Sequence, residues 1–265
     1  MTVLIVIPAR YASTRYPGKP LVPLTGATGQ ATTLIERSWR AAMQVQGAAQ
    51  VVVATDDARI ADHAAGFGAQ VVMTGSAHIN GTERCAEVAA RIPGHDIIVN
   101  LQGDAPLTPP WFVEDLIAGL QAAPQMQVAT PVLRTDAAGL AGFIEDRRAG
   151  RVGGTTAVFG ADNRALYFSK EVIPYTGRVY APDEPTPVFH HVGVYACRRA
   201  ALTAYAGWQP GPLEALEGLE QLRFLEQGWP VLCVQVQARG RLFWELNNPA
   251  DVPRIEAMLA AMGLP

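Results

Sequence analysis

Short apolar runs alternate with amphipathic stretches through the first hundred residues. Val3-Leu-Ile-Val-Ile7 is wholly apolar and stops at Pro8, which predicts a buried strand. Val51-Val-Val-Ala-Thr55 and Gln70-Val-Val-Met-Thr74 repeat the β-branched signal, and residues 96–102 supply a fourth run. Between these runs, residues 33–46 place Leu34, Trp39, Ala42 and Met43 at helical spacing, with Thr32 or Thr33 as the cap. Residues 58–66 and 82–91 predict two further helices. Strands and helices alternating in this way predict an α/β protein with a mainly parallel sheet and helices on both faces. Ligands of such sheets sit beyond the carboxyl ends of the strands. The loops after Ile7, Thr55, Thr74 and Gln102 are therefore the ones that matter.

The second half is less regular. Residues 110–122 predict a helix and 128–133 a strand. The Gly-, Arg- and Asp-rich residues 134–154 predict a flexible loop. Two short strands (155–159 and 165–169) precede a Pro-rich surface excursion at 174–187. A strand at 190–197, a helix at 213–227 stopped by Gly228, a strand at 231–237 and a closing helix at 249–262 complete the chain. There is no internal repeat. The expected organisation is one domain over residues 1–265, with 134–200 as a smaller, β-rich, less regular lobe.

Composition narrows the function classes. The chain has 265 residues, of which 49% are apolar and 17% charged, enough for a sizeable core. Its formal charge of −3 gives no global electrostatic reason to bind nucleic acid or an anionic membrane. Cys85, Cys197 and Cys233 are odd in number and far apart, which excludes a disulfide framework or a zinc ribbon. The N-terminal apolar run is too short to span a membrane and lacks the basic flank of a signal peptide. A soluble cytoplasmic protein is expected.

Against that near-neutral background one loop stands out. Ile7-Pro-Ala-Arg10-Tyr-Ala-Ser13-Thr-Arg15-Tyr-Pro-Gly18-Lys19-Pro-Leu21 sets three cations in a ten-residue span just after a strand end, with hydroxyls and an unhindered glycine among them. Guanidinium forks and N–H donors at that position make a phosphate cradle. It is neither a Walker A loop nor a G-x-G-x-x-G turn. A second candidate is Val99-Asn-Leu-Gln102-Gly103-Asp104-Ala105-Pro106. Asp104 at the carboxyl edge, facing a phosphate cradle, is where a hard Mg²⁺ would bridge protein and substrate. A third is His78-Ile-Asn80-Gly81-Thr82-Glu83-Arg84, where Asn80 or Thr82 can cap a helix and Arg84 could hydrogen-bond a base. On the helix at 213–227, Glu217 shares a face with Gln221, and Glu220 with Arg223, which predicts an exposed salt-bridged surface.

The stretch from Ile7 to Leu21 resembles the signature loop of the 3-deoxy-manno-octulosonate (Kdo) cytidylyltransferases, the CMP-Kdo synthetases of lipopolysaccharide and capsule biosynthesis. The resemblance runs from Val3 to about Leu259 and reappears at Val53-Ala-Thr-Asp56, Gly81-Thr82-Glu83-Arg84, 99–104 and Ala165-Leu-Tyr-Phe-Ser169. It continues at His191-Val-Gly-Val-Tyr195, at Trp208-Gln-Pro-Gly-Pro-Leu-Glu214 and at Leu219-Glu-Gln-Leu-Arg223. It implies a Rossmann-like fold, a homodimer formed through the smaller lobe, CTP, Mg²⁺ and a 3-deoxy-2-ulosonic acid acceptor. Carried over by position, Arg10 and Lys19 would hold the CTP phosphates, with Ser13 and Arg15 supporting the loop. Arg84 would read the cytosine and Asp104 would bind Mg²⁺. Gln102 would meet nucleotide and sugar, and His191, Tyr195, Glu220 and Gln221 would line the sugar pocket.

Several positions depart from the pattern. Ala105 stands where the family has Glu, Lys170 where it has Arg, and Thr156 where it has Lys. Asn247 replaces the Asp expected as second metal ligand. If residues 240–246 enter the site as a strand, Glu245 and Asn247 share a face, and Glu245 could restore the missing charge. The expected reaction is transfer of CMP from CTP to a Kdo-like acid, with pyrophosphate leaving. A glycosyltransferase acting on an acidic sugar and a non-catalytic paralogue are the alternatives.

Overall fold

β1 (Val3–Ala9) is buried at all seven positions. Successive side chains of a strand point to opposite faces, so burial of every one means that both faces are covered. The computed structural model describes every residue except 13–15, 104, 105, 153, 183, 242, 243 and 247. After β1 the chain makes a 3-10 turn (Lys19–Leu21) and a small antiparallel hairpin of β2 (Pro23–Thr25) and β3 (Ala31–Thr33). α1 (Leu34–Ala42), β4 (Gln50–Thr55), α2 (Ala58–Gly66), β5 (Gln70–Met73), α3 (Gly81–Arg91) and β6 (Ile97–Leu101) follow. Then come α4 (Pro110–Ala122), β7 (Val128–Arg134), α5 (Ala137–Arg148), β8 (Thr156–Phe159) and β9 (Ala165–Ser169). β10 (Phe189–His191), β11 (Val194–Arg198), α6 (Arg199–Ala206), α7 (Pro212–Glu217), α8 (Leu222–Glu226), β12 (Val231–Val236) and α9 (Asp251–Ala261) complete the order.

The chain divides into two compact units, one formed by Met1–Glu114, Cys197–Ala206 and Ala238–Pro265, the other by Asp115–Ala196 and Gly207–Gln237. In the first, β5-β4-β1-β6 are neighbours and every pairing is parallel. Asp57 caps α2 by accepting from Arg59 N, and Asn80 caps α3 by accepting from Glu83 N. Thr33 precedes α1 but does not cap it with its side chain; its hydroxyl meets His63 Nε2 at 2.8 Å instead. α9 returns to this unit, where Leu246, Ile255 and Leu259 form a buried cluster with Leu24, Leu34 and Leu107. Glu256 of α9 accepts a bond from Thr25 N at 2.8 Å.

In the second unit β12 pairs parallel with β7, and β7, β10, β8 and β9 follow in antiparallel order. α4 lies so close to β12 that a Cβ at Gly119 would stand 2.8 Å from Val234 Cγ2. The expected fold class, a mainly parallel helix-covered sheet with a smaller β-rich part, is the one observed. Three local expectations are not. Residues 137–148, expected within a flexible loop, form α5, capped by Asp136 and anchored by buried Leu140 and Phe143. The single strand expected at 190–197 is two, β10 and β11. The helix expected at 213–227 breaks at Gly218, which takes φ 61°, a left-handed conformation that glycine adopts without steric cost. All three cysteines are free and buried, and burial pushes the Cys233 thiol up to about 12.

Candidate functional site

In the first unit the candidate residues gather where the loops leave β1, β4, β5 and β6. Arg10 follows β1, is exposed, and donates from Nη1 to the Ile79 carbonyl at 3.3 Å. The loop closes where Gly18 N donates to the Tyr11 carbonyl at 2.9 Å. Gly18 has φ 71°, and a Cβ there would come within 3.1 Å of the Tyr11 ring, so backbone and space both call for glycine. Lys19 opens the 3-10 turn immediately afterwards. The Tyr11 ring in turn carries the Arg59 guanidinium 3.3 Å from its centroid, and Arg59 is paired with Asp57 at 2.6 Å. The cradle loop is thereby tied to the loop after β4. Ser13 and Arg15 lie outside the described residues.

Arg84, expected to read a base, is 3% exposed and has both terminal nitrogens engaged by the protein. Nη1 bonds Thr74 Oγ1 and reaches the Gly75 carbonyl at 3.4 Å, and Nη2 lies 3.3 Å from Asp56 Oδ1. The Asp56 contact is an ion pair without hydrogen-bond geometry, since Oδ1 is buried with no hydrogen-bond partner. Arg84 thus joins α3 to the loops after β4 and β5, and the structure places it as a brace. Gln102 follows β6 and is half-buried. Gly103 packs under the end of β1: a Cβ there would lie 3.1 Å from the Pro8 carbonyl oxygen. Asp104 and Asn247 are outside the described residues. Among the described residues no group of three or more His, Cys, Asp or Glu could hold a metal. The strand expected at 240–246 is absent among the described residues of that stretch, so the shared face of residues 245 and 247 loses its basis. Glu245 is half-buried beside Leu246, a member of the α9 core cluster.

The second unit holds the residues expected for an acidic sugar. His191 is buried, with Nε2 2.9 Å from Thr130 Oγ1. Thr130 also lies 2.9 Å from the Val194 carbonyl, which can only accept. The hydroxyl proton therefore goes to Val194, His191 Nε2 carries the imidazole proton, and Nδ1 is the acceptor. Tyr195 OH donates to Gln221 Oε1 at 3.0 Å, while Gln221 Nε2 is buried with no partner. Glu220 sits half-buried in the break between α7 and α8. The exposed salt-bridged face expected here is absent: Arg223 is 1% exposed and forks onto Glu214, Nε to Oε2 at 2.6 Å and Nη2 to Oε1 at 2.7 Å. Glu217, read from sequence only as part of that face, gathers three donors: Ser169 Oγ at 2.7 Å, Lys170 N at 2.9 Å and Tyr167 OH at 3.5 Å. Its partners lie about fifty residues away, and no local pattern reports them. Thr156 is buried and bonds the main chain at Glu171 and Ile173.

Burial lowers His191 to about 3, helped by the charge of His190, and burial alone lowers His190 to about 4. Both values lie below the roughly 6.5 of an unfolded histidine, so the unfolded chain takes up protons first. Their contribution to stability is whole above about pH 6.5 and is lost as pH falls towards 4 and then 3. Melting temperature should therefore fall between pH 6.5 and 5, above the range where carboxylates titrate, and His190→Gln should flatten that slope. A pH-independent melting temperature over this interval would show that the histidines are not held neutral.

A cytidylyltransferase family profile matches residues 4–234. A 3-deoxy-manno-octulosonate cytidylyltransferase from Maricaulis maris is 44% identical over 264 residues, covering 99% of each chain. One from Chlamydia trachomatis is 38% identical, covering 97% of this chain and 94% of that one. A solved structure of CMP:2-keto-3-deoxy-manno-octonic acid synthetase complexed with CTP is 34% identical, superposes with a TM-score of 0.82, and is covered over its full length.

Proposed function

The chain belongs to the cytidylyltransferase family, and on that premise we propose that it transfers CMP from CTP to the anomeric hydroxyl of Kdo, or of a closely related 3-deoxy-2-ulosonic acid. The observation that carries this reading is likeness over the whole length to enzymes named for that reaction, 44% identity to the Maricaulis maris enzyme. The product is a sugar nucleotide of the kind that lipopolysaccharide assembly consumes.

In the reaction, a bond forms between the anomeric oxygen and the α-phosphorus while the bond to pyrophosphate breaks, and the hydroxyl proton passes to solvent water. Positioning and neutralisation of charge supply most of the acceleration in such transfers. Arg10 and Lys19 bring their charges to the β1 loop, whose shape is held by the Gly18–Tyr11 closure. The loop after β6 approaches the same strand end through Gly103 and Pro8. Asp104, a hard oxygen donor following directly on Gly103, suits Mg²⁺, with Glu245 and Asn247 as further oxygen donors to be tested. When bound, Mg²⁺ would stabilise the charge that develops on the phosphates. In the second unit, the His191 Nδ1 acceptor and the Gln221 Nε2 donor supply complementary groups for a polyhydroxy acid.

A homodimer fits the exposure of Tyr175 (93%), Val179 (93%) and Leu216 (83%), large apolar side chains that a second copy would cover. No described helix is long and apolar enough to cross a membrane. Three buried free thiols fit a reducing, cytoplasmic setting.

The test is pyrophosphate release by the full chain from CTP or UTP, with Kdo, 8-amino-Kdo or sialic acid as acceptor and Mg²⁺ titrated. CTP with a Kdo-type acid should be used at least tenfold better than the other pairs, and light scattering should give the mass of two chains. Absence of release with any ulosonic acid, or exchange of sugar without exchange of pyrophosphate into CTP, would overturn the reading.

A further inference from the structure

Gly81 opens α3 and has no obvious helical reason to be glycine. Its φ is not in the left-handed region, so the backbone makes no demand that alanine could not meet. Capping of α3 is already provided by Asn80, whose Oδ1 accepts from Glu83 N at 2.9 Å. In a helix, glycine is a poorer choice than alanine. What forbids a side chain here is space. A Cβ at residue 81 would stand 2.8 Å from Gln102 Nε2, 3.1 Å from Pro8 Cγ and 3.2 Å from Asn100 Nδ2. Those three neighbours come from the end of β1, the last turn of the pleat in β6 and the residue just beyond it.

We infer that Gly81 is a positioning residue for the nucleotide site: the missing side chain lets the Gln102 carboxamide lie against the first turn of α3, at the mouth of the phosphate loop. Asn100 completes the arrangement from below, with Nδ2 directed to Thr82 Oγ1 at 3.3 Å. Pro8 stands two residues before Arg10, so a side chain at 81 would also press on the strand end that leads into the cradle loop. A methyl group at 81 would displace first the far end of Gln102, the nearest of the three neighbours and the one with the most rotatable bonds. The inference deepens the proposed reaction and rests on it.

The experiment is a double-mutant cycle on Gly81→Ala and Gln102→Ala, read as kcat and KM for CTP together with melting temperature. Gly81→Ala should lower kcat/KM at least tenfold while melting no earlier than wild type. In the Gln102→Ala background the same substitution should change kcat/KM by less than about twofold, because the group it displaces is gone. If Gly81→Ala instead melts early, Gln102→Ala in the same chain should restore the melting temperature. Wild-type kinetics in Gly81→Ala, equal losses in the two backgrounds, or an early melt that Gln102→Ala does not rescue would each overturn the inference. An inactive wild-type chain would count against the proposed reaction; additivity in an active chain counts against Gly81 alone.

Discussion

Replacing Lys19 by alanine should lower kcat/KM for CTP by about 10²–10³-fold, the usual loss when one preorganised donor to a developing charge is removed. The melting temperature should stay within a few degrees of wild type. Lys19 is only half-buried, and the loop's closure rests on Gly18 and Tyr11, which the substitution leaves alone. Arg10→Ala should act in the same sense: Arg10 is exposed and gives the fold one long bond to the Ile79 carbonyl. Salt gives a second reading. Binding of CTP to the wild-type chain should weaken as ionic strength rises, and more steeply than in Lys19→Ala, because one fewer cation then faces the phosphates. Wild-type kinetics in either variant would remove the cradle from the mechanism.

Arg223→Ala should cost about 3–5 kcal/mol, the range for removing one partner of a buried ion pair. For a chain of this size that is a fall in melting temperature of roughly 10 °C. The loss comes from the Glu214 carboxylate, left 6% exposed with its forked partner gone. Replacing both residues together, as in Arg223→Met with Glu214→Leu, should recover most of the stability, since no charge is then stranded. The pair also frames the break at Gly218, between α7 and α8, where Glu220 and Gln221 stand. The double variant should therefore raise KM for the sugar more than KM for CTP. Equal melting temperatures for Arg223→Ala and wild type would show that the pair does not hold this corner.

How far the sequence could be read depended on how local each signal was. β1, β4 and β6 are buried parallel strands, and burial on both faces writes itself as an uninterrupted β-branched run. α2 and β9 were legible to the residue for a different reason: polar residues and glycine bound them. α5 was not legible, because it buries only Leu140 and Phe143 and its other positions look like those of a loop. The break at Gly218 was hidden by a helical pattern that continues across it. The site divides in the same way. The β1 loop could be recognised from its own residues, whereas the ties of Arg84 come from Thr74, Gly75 and Asp56 on other loops. The donors to Glu217 and the crowding around Gly81 come from residues remote in sequence, so neither environment could be read before the fold was known.

The return of α9 to the first unit has a consequence for how the protein is made. The cluster of Leu24, Leu34 and Leu107 is finished only by Leu246, Ile255 and Leu259. On the ribosome these partners appear after the whole of the second unit, which is complete at Gln237. The unit begun first is thus the last to close. Until synthesis ends, the hairpin β2–β3 and the start of α1 present apolar side chains with no cover, in a state open to chaperones and proteases. Contacts of such long sequence separation also slow folding in general. A chain stalled before α9 should therefore be degraded even though the phosphate loop, near its other end, has long since been synthesised.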